Sequence, residues 1–183
     1  YQGKRSGIRL RLAKVRSTEQ AGISNLYSHN QKGTTLMEIE RKFLIKELPV
    51  NLDSYPHTTL EQGYLCTNPV VRIRKDGAKY ELTYKSAGLM IREEYNLPLT
   101  EEAYQHLLTK IDGNLISKER YRIPLDSSHT IELDIFRGAL APLVLAEVEF
   151  SSEEDALAFL PPEWFSEEVT SNPAYQNSNL SKR

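Results

Sequence analysis

Seven short segments alternate charged and apolar residues with a period of two, and this pattern constrains the fold more than any other feature. Because successive side chains of a β-strand point to opposite faces, each segment is predicted to be a strand with one charged and one apolar face. In Met37–Phe43, for example, Glu38, Glu40 and Lys42 share a face. The other six segments are Val70–Arg74, Tyr80–Lys85, Ile91–Leu97, Lys118–Ile123, Ile131–Ile135 and Ala146–Phe150.

A further strand is predicted at Thr59–Leu65, although the sequence does not indicate which of its faces belongs with the charges. Short turns join most of the segments, such as Lys75–Lys79 and Ser86–Gly88. Two-residue and other short connections are typical of antiparallel hairpins. The sequence therefore predicts an antiparallel meander.

Two helices are predicted to interrupt the meander. Thr100 is a candidate N-cap for the first, and Ser151 or Ser152 is a candidate for the second, because a side-chain oxygen at this position accepts a hydrogen bond from the first helical turn. The second helix is predicted over Glu153–Leu160, since Pro161 directly after it would end it.

The charged strand faces carry eight acids and eight bases, and the two types are sorted by strand. A solvated face explains any one strand, and a lattice of cross-strand ion pairs is a second interpretation, but such pairs stabilise an exposed surface little. Like charges on one strand face repel, so the sorting favours a cation held between the acids and an anion held between the bases. The acidic doublets are Glu38/Glu40, Glu132/Asp134 and Glu147/Glu149, and the basic sets are Arg72/Arg74 and Lys118/Arg120/Arg122.

A sheet that closes with its charges inside would have a polar lumen and an apolar exterior covered by helices. About eight strands leave an interior the size of side chains or one small ligand. We therefore predict a mainly β (α+β) fold, an eight-stranded antiparallel closed β-barrel (tunnel) with flanking helices.

Residues 1–36 differ from the rest of the chain in composition. They carry seven basic residues and one acid, so residues 37–183 hold a net charge of −8 within the total of −2. Three interpretations were weighed: a leader ahead of a true start at Met37, an organelle transit peptide, and a native basic arm. The first is favoured because Met37 adjoins the first strand, and residues 1–36 are predicted to lie outside the fold.

The bulk composition excludes several classes of partner. The acidic body argues against nucleic-acid binding, whose usual footprint is a basic face. No apolar run approaches the ~20 residues that a membrane span needs. Cys66 is the single cysteine, so no internal disulfide can form and a cytoplasmic location is expected.

The ordered motifs of residues 37–183 resemble the CYTH family, also called triphosphate tunnel metalloenzymes. The signature ExExK is present as Glu38–Lys42. The resemblance covers Met37 to the C-terminus, which identifies a CYTH tunnel domain at 37–183. Its further motifs are Gln62–Tyr64, Val71–Arg74, Leu82–Lys85, Arg92–Glu94, Lys118–Tyr121, Glu132–Asp134, Glu147–Glu149 and Asn177–Leu180.

The resemblance implies hydrolysis of a small triphosphate with Mg²⁺ or Mn²⁺, whose preferred ligands are carboxylate oxygens. Catalytic roles fall to Glu38, Glu40, Lys42, Glu147 and Glu149. Metal ligands are expected at Glu38, Glu40, Glu94, Asp134, Glu147 and Glu149. The phosphate chain is expected to contact Lys42, Arg72, Arg74, Lys85, Arg92, Lys118 and Arg120, with Arg122 ranked lower and Lys182 or Arg183 as further candidates.

Inorganic tripolyphosphate is the substrate that the resemblance favours, with a nucleoside or thiamine triphosphate as further substrates. The alternatives are an adenylate cyclase and a polyphosphate- or nucleotide-binding module without turnover. A purely structural barrel would leave the charge sorting unexplained. Neither nucleic acid nor membrane is an expected partner, and a homodimer is the expected assembly should the chain self-associate.

Overall fold

The computed structural model describes residues 36–183, and the predicted leader lies outside them apart from Leu36, which begins the first strand. Nine strands and three α-helices follow one another. The strands are β1 (Leu36–Ile45), β2 (His57–Thr67), β3 (Val70–Asp76), β4 (Lys79–Lys85), β5 (Ile91–Pro98), β6 (Asp112–Pro124), β7 (Thr130–Phe136), β8 (Val144–Glu149) and β9 (Phe165–Glu168). The helices are α1 (Glu101–Leu108), α2 (Glu153–Ala158) and α3 (Asn177–Leu180).

Strand β1 closes the barrel because its two halves pair with different neighbours. Its beginning pairs with β5, with Glu38 opposite Arg92, and its end pairs with β8, with Lys42 opposite Glu147. The remaining strands pair in the order β5-β4-β3-β2-β6-β7-β8, and every pairing is antiparallel. The predicted eight-stranded closed antiparallel barrel is confirmed.

The ninth strand was not predicted from the sequence. Strand β9 adds to the outer end of β1, where Phe43 lies opposite Glu168 and Ile45 opposite Phe165. It has four residues and carries no sustained alternation, so a pattern of period two could not reveal it.

The outer face of the barrel carries an apolar core cluster that α2 and the segment around β9 cover. Phe43, Leu133 and Val148 are buried there, together with Ala156 of α2 and Phe165 of β9. Full burial of a side chain of this size contributes about 1.5–3 kcal/mol relative to leaving it exposed. This is the apolar exterior that the strand pattern predicted.

One end of the barrel interior is apolar, which the sequence analysis missed. Ile116, Phe136 and Leu145 lie on the same strand faces as the charged residues, two positions beyond them, and α3 packs Leu180 against them. The predicted polar lumen therefore extends over only part of the interior, and the apolar cluster closes off the rest.

Both predicted helix starts are confirmed by their caps. The Thr100 hydroxyl accepts a hydrogen bond from the Ala103 amide, and the Ser152 hydroxyl accepts one from the Asp155 amide. Helix α2 ends at Ala158, two residues earlier than predicted. Within residues 36–183, none of the helices is long and apolar enough to cross a membrane.

Candidate active site

The charged strand faces surround one cavity of about 590 Å³. Eleven of the thirteen predicted site residues line it, and Glu132 joins them, so six acids face six bases. The lining is therefore close to neutral overall while carrying twelve formal charges. The predicted residues that line it are Glu38, Glu40, Lys42, Arg72, Arg74, Lys85, Arg92, Glu94, Arg120, Glu147 and Glu149.

Lys42 lies between two carboxylates on the β1–β8 side of the cavity. Its Nζ is 2.8 Å from Glu40 Oε1 and 2.5 Å from Glu147 Oε1. Burial alone would lower the pKa of Lys42, but the negative charges of Glu147 and Glu40 outweigh it and hold this pKa above its ordinary value. Lys42 is therefore a fixed positive charge at all physiological pH values.

The β4–β5 side of the cavity holds a second network. Arg92 Nη2 donates to Glu38 at 3.0 Å and to Glu40 at 2.8 Å, and Lys85 Nζ contacts Glu38 and lies 2.7 Å from Glu94. Burial would raise the pKa of Glu94, yet the Lys85 ammonium outweighs it and lowers this pKa to about 2. Acids and bases thus alternate around the wall, and Glu94 is ionised at neutral pH.

Arg72 is a buried cation without a carboxylate partner among the described residues. It is 8% exposed, and no Asp or Glu oxygen lies within 4.0 Å of its guanidinium. The buried Nε atoms of Arg72, Arg74 and Arg92 also lack hydrogen-bond partners within the described part of the chain. Buried donors of this kind are costly unless a ligand satisfies them, and an anion bound in the cavity would supply the missing acceptors.

Glu149 is the opposite case, an acid that no cation pairs with among residues 36–183. It lies directly across from Glu40 on the neighbouring strand, and like charges in this position repel. Partial burial raises the pKa of Glu149, and so do the charges of Glu38, Glu132 and Glu40. The Glu40–Glu149 pair is therefore a place where a cation would relieve repulsion.

Two predicted site residues do not reach the cavity. Asp134 and Lys118 are fully buried beneath it, and Asp134 accepts hydrogen bonds from both Lys118 and Arg120. Arg122, ranked lower in the sequence analysis, does not line the cavity and donates to Asp76 at 2.8 Å. Of the two C-terminal candidates, Arg183 donates to the Ala174 carbonyl and Lys182 is exposed, and neither lines the cavity.

Several lining residues escaped the sequence analysis. Tyr64 faces the cavity, and burial raises the pKa of its phenol although Arg72 opposes the effect, so the hydroxyl stays protonated at neutral pH. The motif Gln62–Tyr64 was recognised, but its inward face could not be assigned from alternation. Gln176–Ser178 also line the cavity. The motif Asn177–Leu180 was recognised in the sequence, but no role in the site was assigned to it, because its position depends on how the C-terminal segment packs on the barrel.

The described residues contain no preformed group of three or more His, Cys, Asp or Glu side chains that could hold a metal ion by themselves. Apart from Glu149, the lining carboxylates contact neighbouring bases. A metal would have to compete with these bases, or arrive together with an anion that draws them away.

A closed barrel whose interior groups acids and bases around one cavity defines a class of protein that can hold a small polyanion with a cation. The model of the CYTH domain family matches residues 36–177, and the chain belongs to this family. Membership implies a requirement for a divalent metal ion.

Two relatives carry the name inorganic triphosphatase. The one from Nitrosomonas europaea is 42% identical over 149 residues, which cover 79% of this chain and 97% of the relative. The one from Acetivibrio thermocellus is 35% identical over 156 residues, covering 79% of this chain and 93% of the relative. The crystal structure of the inorganic triphosphatase NE1496 is similar with a TM-score of 0.62 and 38% identity, covering 81% of this chain and 96% of that one.

Proposed function

We propose that this protein is a divalent-metal-dependent phosphohydrolase that hydrolyses inorganic tripolyphosphate. The observation that carries the proposal is the buried Arg72, which has no carboxylate partner within residues 36–183 and faces the same cavity as five further bases. The names of two relatives at 42% and 35% identity support hydrolysis of an inorganic triphosphate.

The chemistry of the lining favours a small polyanion over an organic substrate. Twelve charged side chains surround the cavity, whereas Tyr64 and Phe150 are the aromatic side chains among its lining residues. Arginine guanidinium groups give forked contacts to phosphate oxygens, and lysines act as point charges. We assign the contacts with the phosphate chain to the six lining bases, namely Lys42, Arg72, Arg74, Lys85, Arg92 and Arg120.

The donor set fits a hard divalent cation, and Mg²⁺ or Mn²⁺ is proposed. Glu40 lies directly opposite Glu149 on the neighbouring strand, and Glu38 shares the face of Glu40. Mg²⁺ is usually bound by one or two carboxylates together with substrate phosphates and waters, which agrees with the lack of a preformed three-ligand group in the described residues. When bound, a divalent ion supplies polarisation of a phosphoryl oxygen and a lower pKa for water.

The ion pairs of the cavity suggest how the site accepts its substrate. Lys42 and Arg92 both contact Glu40. Phosphate oxygens that accept from these two bases would weaken their hold on the carboxylate and free its lone pairs for the cation. Charge neutralisation and positioning of this kind are most of what phosphoryl transfer requires from a protein.

Phosphate release from tripolyphosphate, with Mg²⁺, with Mn²⁺ or with EDTA, tests the proposal. We expect release only with a divalent ion, and about a 100-fold or larger loss in Arg72→Met, as when one preorganised donor is removed from an active site. Arg122→Met is the matched control, because Arg122 does not line the cavity. No release from tripolyphosphate by the unchanged protein would refute the proposal.

The same assay with ATP separates the alternative activities. The proposed chemistry yields phosphate and ADP from any ATP consumed, whereas an adenylate cyclase yields cyclic AMP and pyrophosphate. Tight binding of tripolyphosphate without product over hours would instead identify a binding module.

A further inference from the structure

We infer that Asp134 is a positioning residue that holds Arg120 in place, and that it is not a metal ligand. The inference rests on the proposed function, because it assigns a task within the same cavity. The family resemblance instead implied that Asp134 is a metal ligand. Three observations support the positioning role: the full burial of Asp134, the hydrogen bonds that its carboxylate oxygens already accept, and the orientation of Arg120.

Asp134 lies at the boundary between the charged cavity and the apolar end of the barrel interior. Its side chain and that of Lys118 are both 0% exposed, and neither lines the cavity. The Lys118 ammonium lies 5.3 Å from the centre of the Phe136 ring, which belongs to the apolar cluster. Asp134 and Lys118 therefore lie beneath the cavity, and Arg120 lies between them and it.

The oxygens of Asp134 are already used by two cations. Oδ1 accepts from Arg120 Nε at 2.7 Å, and Oδ2 accepts from Arg120 Nη2 at 2.6 Å and from Lys118 Nζ. A carboxylate has about four lone-pair positions, so these contacts occupy most of them. A metal ion at Asp134 would have to displace both cations and leave Lys118 buried without a partner, which is strongly unfavourable.

The same contacts fix the direction of Arg120. Its two bonds to Asp134 form a fork, a geometry that defines orientation as well as adding energy. The guanidinium then reaches the cavity wall, where Nη2 also donates to Glu147 at 2.8 Å and Nη1 contacts Glu132. Asp134 thus determines which face of Arg120 is presented to a phosphate in the cavity.

Lys118 balances the charge of this arrangement. Asp134 neutralises one of two adjacent buried cations, and the Glu147 carboxylate interacts with both Lys118 and Arg120. Without the charge on Asp134, the Arg120 guanidinium would be held only by Glu147 and Glu132, whose carboxylates belong to the cavity wall. We expect Arg120 to turn toward them and to bind phosphate less well.

Calorimetric binding of tripolyphosphate in EDTA separates a positioning role from metal ligation. Asp134→Asn keeps the shape of the side chain but places an amide N–H₂ against cationic donors. We expect its metal-free affinity for tripolyphosphate to fall by about 10-fold or more, the range typical for residues that orient a functional group. A metal ligand has no such task without metal, so an unchanged or tighter metal-free affinity would overturn the inference.

A double-mutant cycle with Arg120→Lys adds a second readout. Lysine keeps the charge but cannot form the fork. If Asp134 acts through Arg120, the double variant should bind and hydrolyse tripolyphosphate no worse than Arg120→Lys alone, within about twofold. Losses in kcat/KM that multiply would show independent roles and contradict the inference.

Two further variants guard against a folding defect. Asp76→Asn is the matched control, because Asp76 pairs with Arg122 away from the cavity, and its metal-free affinity should be unchanged. If Asp134→Asn does not fold, Lys118→Met/Asp134→Asn removes both buried charges and should show the same loss of metal-free affinity. The unchanged protein separates the two proposals: if it binds tripolyphosphate but releases no phosphate, the proposed hydrolysis fails while the positioning role is still measured.

Discussion

Two buried cations of the cavity, Lys42 and Arg72, should lose activity alike but differ in stability when each receives the same substitution. Both are less than 9% exposed, but only Lys42 is paired with carboxylates. Replacing either by Met removes a positive charge while keeping much of the apolar stem. We expect both variants to lose at least about 100-fold in tripolyphosphate hydrolysis, and to differ sharply in the free energy of unfolding.

The size of the difference follows from the ion pairs. Lys42→Met leaves Glu40 and Glu147 without their shared partner, and breaking a buried pair in this way costs about 3–5 kcal/mol. Arg92 still donates to Glu40 and Arg120 to Glu147, each at 2.8 Å, so we expect the lower end, about 3 kcal/mol. Arg72→Met breaks no ion pair and should stay within about 1 kcal/mol of the unchanged protein.

Urea unfolding and thermal melting in EDTA measure the difference. At about 2–4 °C per kcal/mol for a domain of this size, Lys42→Met should melt about 6–12 °C below the unchanged protein and Arg72→Met within about 4 °C of it. Adding tripolyphosphate should raise the Tm of the unchanged protein and of Arg122→Met, but that of Arg72→Met much less. Equal loss of stability in the Lys42 and Arg72 variants would refute the reasoning from ion pairing.

Two further variants test Glu149, which has no cation partner among the described residues, and His129, which does not line the cavity. Without metal, Glu149→Gln should have a free energy of unfolding a few tenths of a kcal/mol above that of the unchanged protein, because the repulsion from Glu40 is removed. The variant should also need a higher Mg²⁺ concentration for hydrolysis. A loss of stability would contradict this prediction. His129 bonds Asp126 and Asp155 at 2.8 and 3.1 Å, and these bonds raise its pKa. A raised pKa stabilises the fold below the ordinary His value of 6.5, and this stabilisation is lost as pH rises through the folded pKa. In urea titrations, His129→Gln should therefore be less stable than the unchanged protein at pH 5.5 but not at pH 8.5. An equal loss of stability at both pH values would argue against the ion pairs.

Alternation predicted most of the barrel because the inside and the outside of a closed sheet differ so strongly in polarity. Every one of the eight barrel strands was found, although β6 begins at Asp112, six residues before its predicted start. The extra residues include Ile116, an apolar residue on the face that later carries Lys118 and Arg120. The start of the strand was predicted from alternating charged and apolar residues. This pattern is absent where the inward face becomes apolar, so the prediction began too late in the chain.

Depth along the barrel is what the sequence could not supply. Glu132 and Asp134 look equivalent in the sequence because they share a strand face. Glu132 lines the cavity, whereas Asp134 lies beneath Arg120. The difference depends on register with β6, where Asp134 lies opposite Arg120, and register is set by long-range pairing.

Other expectations from the sequence stay predictions. They include the roles of the individual site residues, the cytoplasmic location, the absence of nucleic-acid and membrane partners, and a homodimer as the assembly. The leader at residues 1–36 is a further prediction, and all but its last residue lies outside the described part of the chain.

Anomalous X-ray diffraction from crystals soaked with Mn²⁺ and tripolyphosphate tests the central claim most directly, namely that the inward-facing charges hold a phosphate chain together with a divalent ion. The account predicts a manganese peak beside Glu40 and Glu149 and phosphate density against Arg72 in the same cavity. Manganese and phosphate bound at separate places on the outer surface, with the cavity free of both, would contradict it.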